Sequence, residues 1–358
     1  MLEMDHSADE EDEQELEARL AAFNSSQSSS AAAAAGGYPS SPVPTKFRPS
    51  VLSAPVQDLM ALLFDQGMFT QAMAKFEIDV SRMPLGKLSK AQIQKGYDIL
   101  DEIQKLIDAG GSHSTDFNEL TSKFYTLIPH DFGRKVPSPI NTAEHLKNKV
   151  DLLNVLNDIE IAQSLQADAK KKDAAQADEQ MNMQSLPPNP IDAKYDSLKC
   201  DVEVVKSSDK NHHIIMDYIN NTKSGWPSKL EVVEIYSLNR HGEDKRFAEH
   251  DAITNRRLLW HGTNVAVVAA ILNSGLRIMP HSGGRVGRGI YLADQHGKSS
   301  AYVGPTTYKG QQQAIMFLGK FTVDSFCICT FLLCVCVCVC VFFIANPYSA
   351  LSLDNVLI

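Results

Sequence analysis

The sequence predicts an α+β protein in which an all-α helical bundle domain precedes an α+β unit. Three features carry this expectation. Apolar residues recur at helical spacing behind recognisable caps from Pro55 to about Ala167, residues 168–190 turn polar and end in Leu-Pro-Pro-Asn-Pro, and β-branched clusters then alternate with short helical segments. With 358 residues, 44% of them hydrophobic and 22% charged, the chain can bury two ordinary cores.

Residues 1–50 are expected to form a disordered tail. The first nineteen hold nine acids against one arginine, and Ser, Ala and Gly dominate from Asn24 to Gly37, so no apolar face can form. The acidic start fits neither a secretory signal nor a transit peptide.

Residues 52–167 read as the helical domain. Ser89 with Gln92 fits a capping box, after which Ile93, Tyr97, Leu100, Ile103 and Ile107 trace one face as far as Gly110 and Gly111. Asp116 with Glu119 precedes Phe117, Leu120, Phe124 and Leu127 in the same way. Asn141 with Glu144 precedes Leu146, Val150, Leu153, Leu156 and Ile159. Residues 168–190 read as a linker, because their composition solvates easily and their prolines oppose a helix.

Beyond residue 190, Leu198 to Val205, Leu230 to Ser237 and Leu258 to His261 are strand candidates, with a helical segment near Ile214 to Asn221. Asn264 to Asn273 reads as a short buried helix closed by Gly275.

Charge and cysteines narrow the function classes. A net charge of -9 argues against a chain that grips a phosphate backbone unaided, since such binding needs clustered Lys and Arg. Six of the seven cysteines lie between Cys327 and Cys340 and Cys200 stands alone, so no disulfide framework follows and a reducing compartment is the default.

The most informative stretch is LLWHGTNVAVVAAILNSGLRIMPHSGGRVGRGIYLADQHGKSSAYV, residues 258–303. A histidine donating to a ribose hydroxyl, a glycine admitting a ligand amide to the backbone and a tyrosine offering a flat face suit a nicotinamide riboside. Taken singly, each residue fits a structural role as well: His261 as a satisfied structural histidine, Tyr291 and Tyr302 as core residues, and Arg277, Arg285 and Arg288 as a solvated basic face. The glycines from Gly283 to Gly289 lack the G-x-G-x-x-G order and the βαβ unit of a Rossmann site, which leaves a flexible loop.

This stretch resembles the NAD+ site of the poly(ADP-ribose) polymerase family, and MPLGKLSKAQIQKGYDIL and FYTLIPHDFG are similar to the regulatory helical domain that precedes it there. The resemblance covers roughly residues 52–319. Within the family, RIMPHSGGRVGRGIY is most similar to the short, DNA-break-responsive, mono-ADP-ribosylating type. The resemblance implies that His261 holds the nicotinamide-ribose 2′-hydroxyl, Gly262 the carboxamide through its backbone and Ser299 the carboxamide oxygen through its hydroxyl, while Tyr302 stacks on the ring. Thr263 and Arg277 match positions on the adenosine and diphosphate side, Tyr291 is the middle residue of the His-Tyr-Glu signature, and Lys298 lies in the same lining. His261 and Tyr291 are thus the catalytic candidates. NAD+ is implied as co-substrate with no metal, protein acceptors and DNA-break repair factors as partners, and a nuclear location.

Two departures accompany the resemblance. The family places a glutamate near the end of its catalytic domain, whereas the last glutamate here is Glu249 and the later acids include Asp294, Asp324 and Asp354. The resemblance stops near Gly319 or Lys320, so residues 191–320 are expected to form an incomplete α+β ADP-ribosyltransferase domain with an exposed sheet edge, inactive or crippled in catalysis. Residues 321–358 then read as a tail foreign to the family. Its Cys-Val alternation is what a TG repeat encodes, which suggests translated intron; a strand with its cysteines on one face, a metal-binding tract and a membrane anchor over 326–345 are the alternatives. The Trp-Gly-Arg module of the short members is also missing, since neither Trp226 nor Trp260 precedes Gly-Arg, so no direct DNA-binding module is visible.

Overall fold

The computed structural model describes residues 47–110, 114–180, 186, 188–222, 230–278, 289–322 and 335–345. Most of the expected tail therefore lies outside the described residues. Its last residues belong to the fold: Arg48 donates to the Leu186 carbonyl at 2.8 Å and the Ser50 hydroxyl donates to Asp192.

Pro55 opens α1 (Ala54–Leu63), where a missing N–H costs nothing, and Asp65 caps α2 (Gln66–Ala74) by accepting from Met68 N at 2.7 Å. Ser89 caps α3 (Lys90–Asp108) through Gln92 N at 3.2 Å. The expected capping box is only half formed, because the Gln92 amide donates to the Leu127 carbonyl at 2.7 Å and so ties α3 to the end of α4 (Ser114–Leu127). Asp116 lies inside the first turn of α4 rather than capping it. For α5 (Ala143–Gln180) the cap is Thr142, accepting from His145 N at 3.1 Å, and not Asn141.

Two boundaries differ from expectation for identifiable reasons. Helix α5 runs to Gln180, well past residue 167, because its polar continuation is rich in Ala and Lys, with Gln and few residues of low propensity beyond three Asp; solvation and helix propensity do not conflict. The Pro-rich end of the expected linker starts a helix instead of preventing one. Pro190 is the first residue of α6 (Pro190–Ser197), and Asn189 caps it through Ile191 N at 3.0 Å.

The second half builds an antiparallel sheet. In chain order follow β1 (Cys200–Val204), α7 (Lys210–Asn221), β2 (Leu230–Arg240), α8 (Glu243–Ala248) and β3 (Arg256–Gly262). A 3-10 turn at Val265–Val267 leads into α9 (Val268–Ser274), then α10 (His296–Ser300), β4 (Thr306–Tyr308), β5 (Gln311–Thr322) and β6 (Val335–Ala345). The strand order is β1-β2-β6-β5-β3, with β4 on β5. The Cys-Val tract thus forms a strand, one of the alternatives weighed above, and pairs with β2 on one side and β5 on the other. That placement corrects the expected open edge, because β6 fills the gap between β2 and β5. Among the described residues no helix is long and apolar enough to cross a membrane.

Alternation along the strands divides the core in two. Tyr236, Leu238, Ile315 and Phe317 join Cys200, Val202 and the apolar faces of α1 to α5 in the larger cluster. Ile235, Met316, Leu318 and Trp260 face the other way, against Ile215 and Ile219 of α7. The bundle is pinned to the sheet side by Gln71, which donates to the Thr307 carbonyl at 3.0 Å and accepts from Thr307 N at 3.0 Å, and by Lys75, which donates to the Pro305 carbonyl at 2.8 Å. Gly96 lets α3 approach α5, since a Cβ there would lie 3.1 Å from the Leu153 Cδ1.

Within the bundle, His130 stacks on Phe132 with centroids 5.5 Å apart and donates from Nδ1 to the Ile128 carbonyl at 2.7 Å. Its Nε2 is buried without a partner, and burial, with Lys149 second, pushes the pKa down to about 4. The unfolded chain, near 6.5, binds the proton first as pH falls, so this residue removes stability between pH 6.5 and 4. The full effect is about 3 kcal/mol. Urea unfolding at pH 7 and pH 4.5 should show wild type losing more stability on acidification than His130→Gln; equal losses would rule the effect out.

Candidate active site

The site candidates gather at the C-terminal end of β3. Trp260 is fully buried, and its backbone forms a two-way bridge with Ala293: Trp260 N to the Ala293 carbonyl at 2.7 Å and Ala293 N to the Trp260 carbonyl at 3.0 Å. This ladder lays the segment 289–294 along the free edge of β3. The next residue, His261, then has the Tyr291 carbonyl 3.0 Å from its Nδ1.

That contact settles the histidine's tautomer. A carbonyl oxygen can only accept, so Nδ1 carries the hydrogen and the neutral ring keeps a lone pair on Nε2. Burial lowers the His261 pKa and the Tyr291 bond opposes it more weakly, so the ring is neutral at pH 7. His261 therefore presents a hydrogen-bond acceptor at Nε2, whereas the expectation from sequence has it donating.

Gly262 serves a close approach, although the group that approaches belongs to the chain. A Cβ there would overlap the Ser299 carbonyl oxygen and lie 2.9 Å from its carbon and 3.2 Å from Val303 Cγ2. Helix α10 is thereby laid directly on the strand end. Ser299 is buried there, with its hydroxyl donating to the Trp260 carbonyl at 3.0 Å. To hold a carboxamide oxygen, that hydroxyl must leave Trp260; in its present rotamer its lone pairs can only accept. The Thr263 carbonyl accepts from Gly304 N at 3.2 Å, which closes the loop after α10 back onto the end of β3.

Tyr302 and Tyr291 are 68% and 39% exposed, so neither is a core residue and both rings can stack on a ligand. Lys298 is exposed on α10. Arg277 is turned to the bundle, where it pairs with Asp158 of α5. Desolvation pushes that carboxyl up to about 6, with Arg277 pulling weakly the other way. Arg285, Arg288 and most of the glycine loop fall outside the described residues. So does Asp324, while Asp251 is engaged by Arg256 at 2.8 Å.

Sequence reasoning missed Tyr218, Ala293 and Asp158. Each acts through a backbone carbonyl or across the chain, and such roles leave no local signature. Among the described residues no three His, Cys, Asp or Glu side chains converge as a metal site. An open groove between α3 and α4, lined by Glu102, Lys105, Leu106, Asp116, Glu119 and Leu120, is on the bundle and away from this cluster.

The helical bundle and the sheet-containing unit each match a domain of one family. Residues 50–195 match the family model described as "Poly(ADP-ribose) polymerase, regulatory domain", and residues 209–347 match "Poly(ADP-ribose) polymerase catalytic domain". The chain belongs to the poly(ADP-ribose) polymerase family. It is 43% identical over 281 residues to protein mono-ADP-ribosyltransferase PARP3 of Mus musculus and 42% identical over 282 residues to the Homo sapiens protein of that name. These alignments cover 78% and 79% of the chain and 51% of each relative. Poly [ADP-ribose] polymerase 1 of Xenopus laevis is 42% identical over 262 residues, covering 71% of the chain and 24% of that protein. The chain spans about half the length of the PARP3 relatives it matches. The catalytic match runs to residue 347 and so crosses the limit near residue 320 that the sequence alone suggested.

Proposed function

We propose that this site binds NAD+ and that the reaction class is transfer of ADP-ribose to protein acceptors, one unit at a time, with release of nicotinamide. The observation that carries the reading is the neutral His261, its Nε2 left free to accept by the Nδ1 bond to Tyr291, beside two exposed tyrosine rings. In NAD+ the nicotinamide is cationic, and it departs as the neutral molecule with the electron pair of the ribose C–N bond while the acceptor's lone pair forms the new bond to that carbon. His261 accepts from a ribose hydroxyl and Tyr302 covers the ring, so both hold the riboside before charge develops on the sugar. A nuclear role in the response to DNA breaks accords with kinship to the short members of the family.

A second reading is an NAD+ binder that does not complete transfer. Incubation of the purified chain with labelled NAD+ separates the two. Label on protein in wild type but not in His261→Ala supports transfer; NAD+ binding without label supports the binder; no binding overturns both. Protonating His261 would set a second positive charge beside the cationic nicotinamide. NAD+ affinity measured by calorimetry should therefore weaken as pH falls below the ordinary histidine range, while neutral benzamide changes less. Equal pH dependence for the two ligands would count against the assigned tautomer.

A further inference from the structure

Helix α7 contributes one side chain to this region that the proposed site does not use. Tyr218 lies flat on Trp260, with ring centroids 5.7 Å apart and planes at 10°, and its hydroxyl is 2.9 Å from two carbonyls, those of Leu258 and Asp294. In an antiparallel ladder the outward peptide groups come from alternate residues, so Leu258 and Trp260 expose theirs on the same free edge of β3. Trp260 is matched there by Ala293. One step along, the chain turns away into α10 and the ladder ends with two carbonyls facing each other. Neither can donate. The Tyr218 hydroxyl supplies the single hydrogen between them and takes the place of the ladder's next N–H.

The consequence passes to His261. Its hydrogen sits on Nδ1 only because the Tyr291 carbonyl is held opposite, and that carbonyl belongs to the segment that Tyr218 and the Trp260–Ala293 bridge pin to β3. We propose that Tyr218 is a positioning residue whose hydroxyl clamps residues 291–294 to β3 and so keeps His261 in the Nδ1-protonated, Nε2-accepting form. The role rests on the NAD+ reading for its ligand but not for its geometry. A partner that fixes the tautomer of a working histidine is worth about 10- to 100-fold in function at metal sites, and a loss near tenfold is the scale expected here.

The test is Tyr218→Phe, which keeps the ring on Trp260 and removes only the hydroxyl. Long-range proton–nitrogen spectra report the tautomer of His261, assigned by the signal that disappears in His261→Ala. Wild type should show one Nδ1-protonated species, and Tyr218→Phe a mixture or the other tautomer, with NAD+ affinity about tenfold weaker. A variant retaining the wild-type tautomer and affinity overturns the positioning role. Should the variant not fold, mixed tautomers in wild type overturn it and a single Nδ1 form with slow exchange at the Ala293 amide supports it. The spectra need no ligand, so a wild type that fails to bind NAD+ but shows the expected tautomers removes the proposed function and leaves the clamp standing.

Discussion

Gly262→Ala is expected to weaken binding of nicotinamide analogues by about a hundredfold and to destabilise the fold. The added methyl would meet backbone, the Ser299 carbonyl, and not the movable tip of a side chain. Relief requires lifting α10 off the end of β3, which breaks the Ser299 bond to the Trp260 carbonyl and moves Val303 and Tyr302 with the helix. Overpacking of this kind costs about 1–3 kcal/mol. Because the strain falls on the site itself, affinity should drop by roughly a hundredfold, the equivalent of about 3 kcal/mol. Gly86→Ala is the matched control, since a Cβ there meets nothing within 4 Å. Thermal melts and calorimetry with benzamide check both. A Gly262→Ala protein with wild-type melting and affinity would show that α10 does not rest on that strand end.

The helices were the most legible part of the chain because their signals are local. Ser89 caps α3, and Ile93, Tyr97, Leu100 and Ile103 form its buried face, since spacing and capping act within a few residues. The same locality explains the misses. Gln92 looks like the partner of Ser89, yet Leu127 lies within its reach in the folded bundle and takes its amide. The Pro-rich end of the expected linker starts α6 because proline is hostile inside a helix and welcome at its first turn. Strand order was not legible at all. Nothing near β2 or β5 in sequence says that residues 335–345 come between them.

The site divides along the same line. His261, Gly262, Ser299 and Tyr302 lie within 42 positions of one another and the structure brings them to one strand end. Which atom of His261 carries the hydrogen depends on a carbonyl 30 residues away. The pinning of the bundle by Gln71 and Lys75 to the segment just after Tyr302 is likewise a contact across 236 and 230 residues. Periodicity can nominate residue types for a site; it does not set hydrogen positions or name partners on another domain.

Arg277 is the residue for which this matters most, and Asp158→Asn is expected to raise NAD+ affinity about tenfold while leaving benzamide binding unchanged. In the structure its guanidinium is engaged by Asp158 of α5, so the group assigned by resemblance to the diphosphate side is occupied by the chain itself. Desolvation dominates that carboxyl, raising its pKa from 3.8 to about 6 against the weaker pull of Arg277. The sign follows directly: the folded state binds the proton more readily than the unfolded one, so stability from this group rises as pH falls from 6 toward 3.8. The ionised pair is thus a net cost at pH 7, of about 3 kcal/mol at most. Asparagine removes that cost and keeps the shape, and Arg277, partly exposed, can turn to water or to a phosphate. Stability at pH 7 should therefore be no lower than in wild type. A charge-assisted hydrogen bond regained by the ligand is worth about 1.5–3 kcal/mol, which sets the scale of at least tenfold. Only a ligand carrying phosphates can use it, so benzamide serves as the internal control. The double variant Asp158→Asn with Arg277→Ala should lose the gain. If Asp158→Asn improves benzamide as much as NAD+, the effect lies in loosening α5 rather than in freeing Arg277, and the assignment of Arg277 to the diphosphate falls.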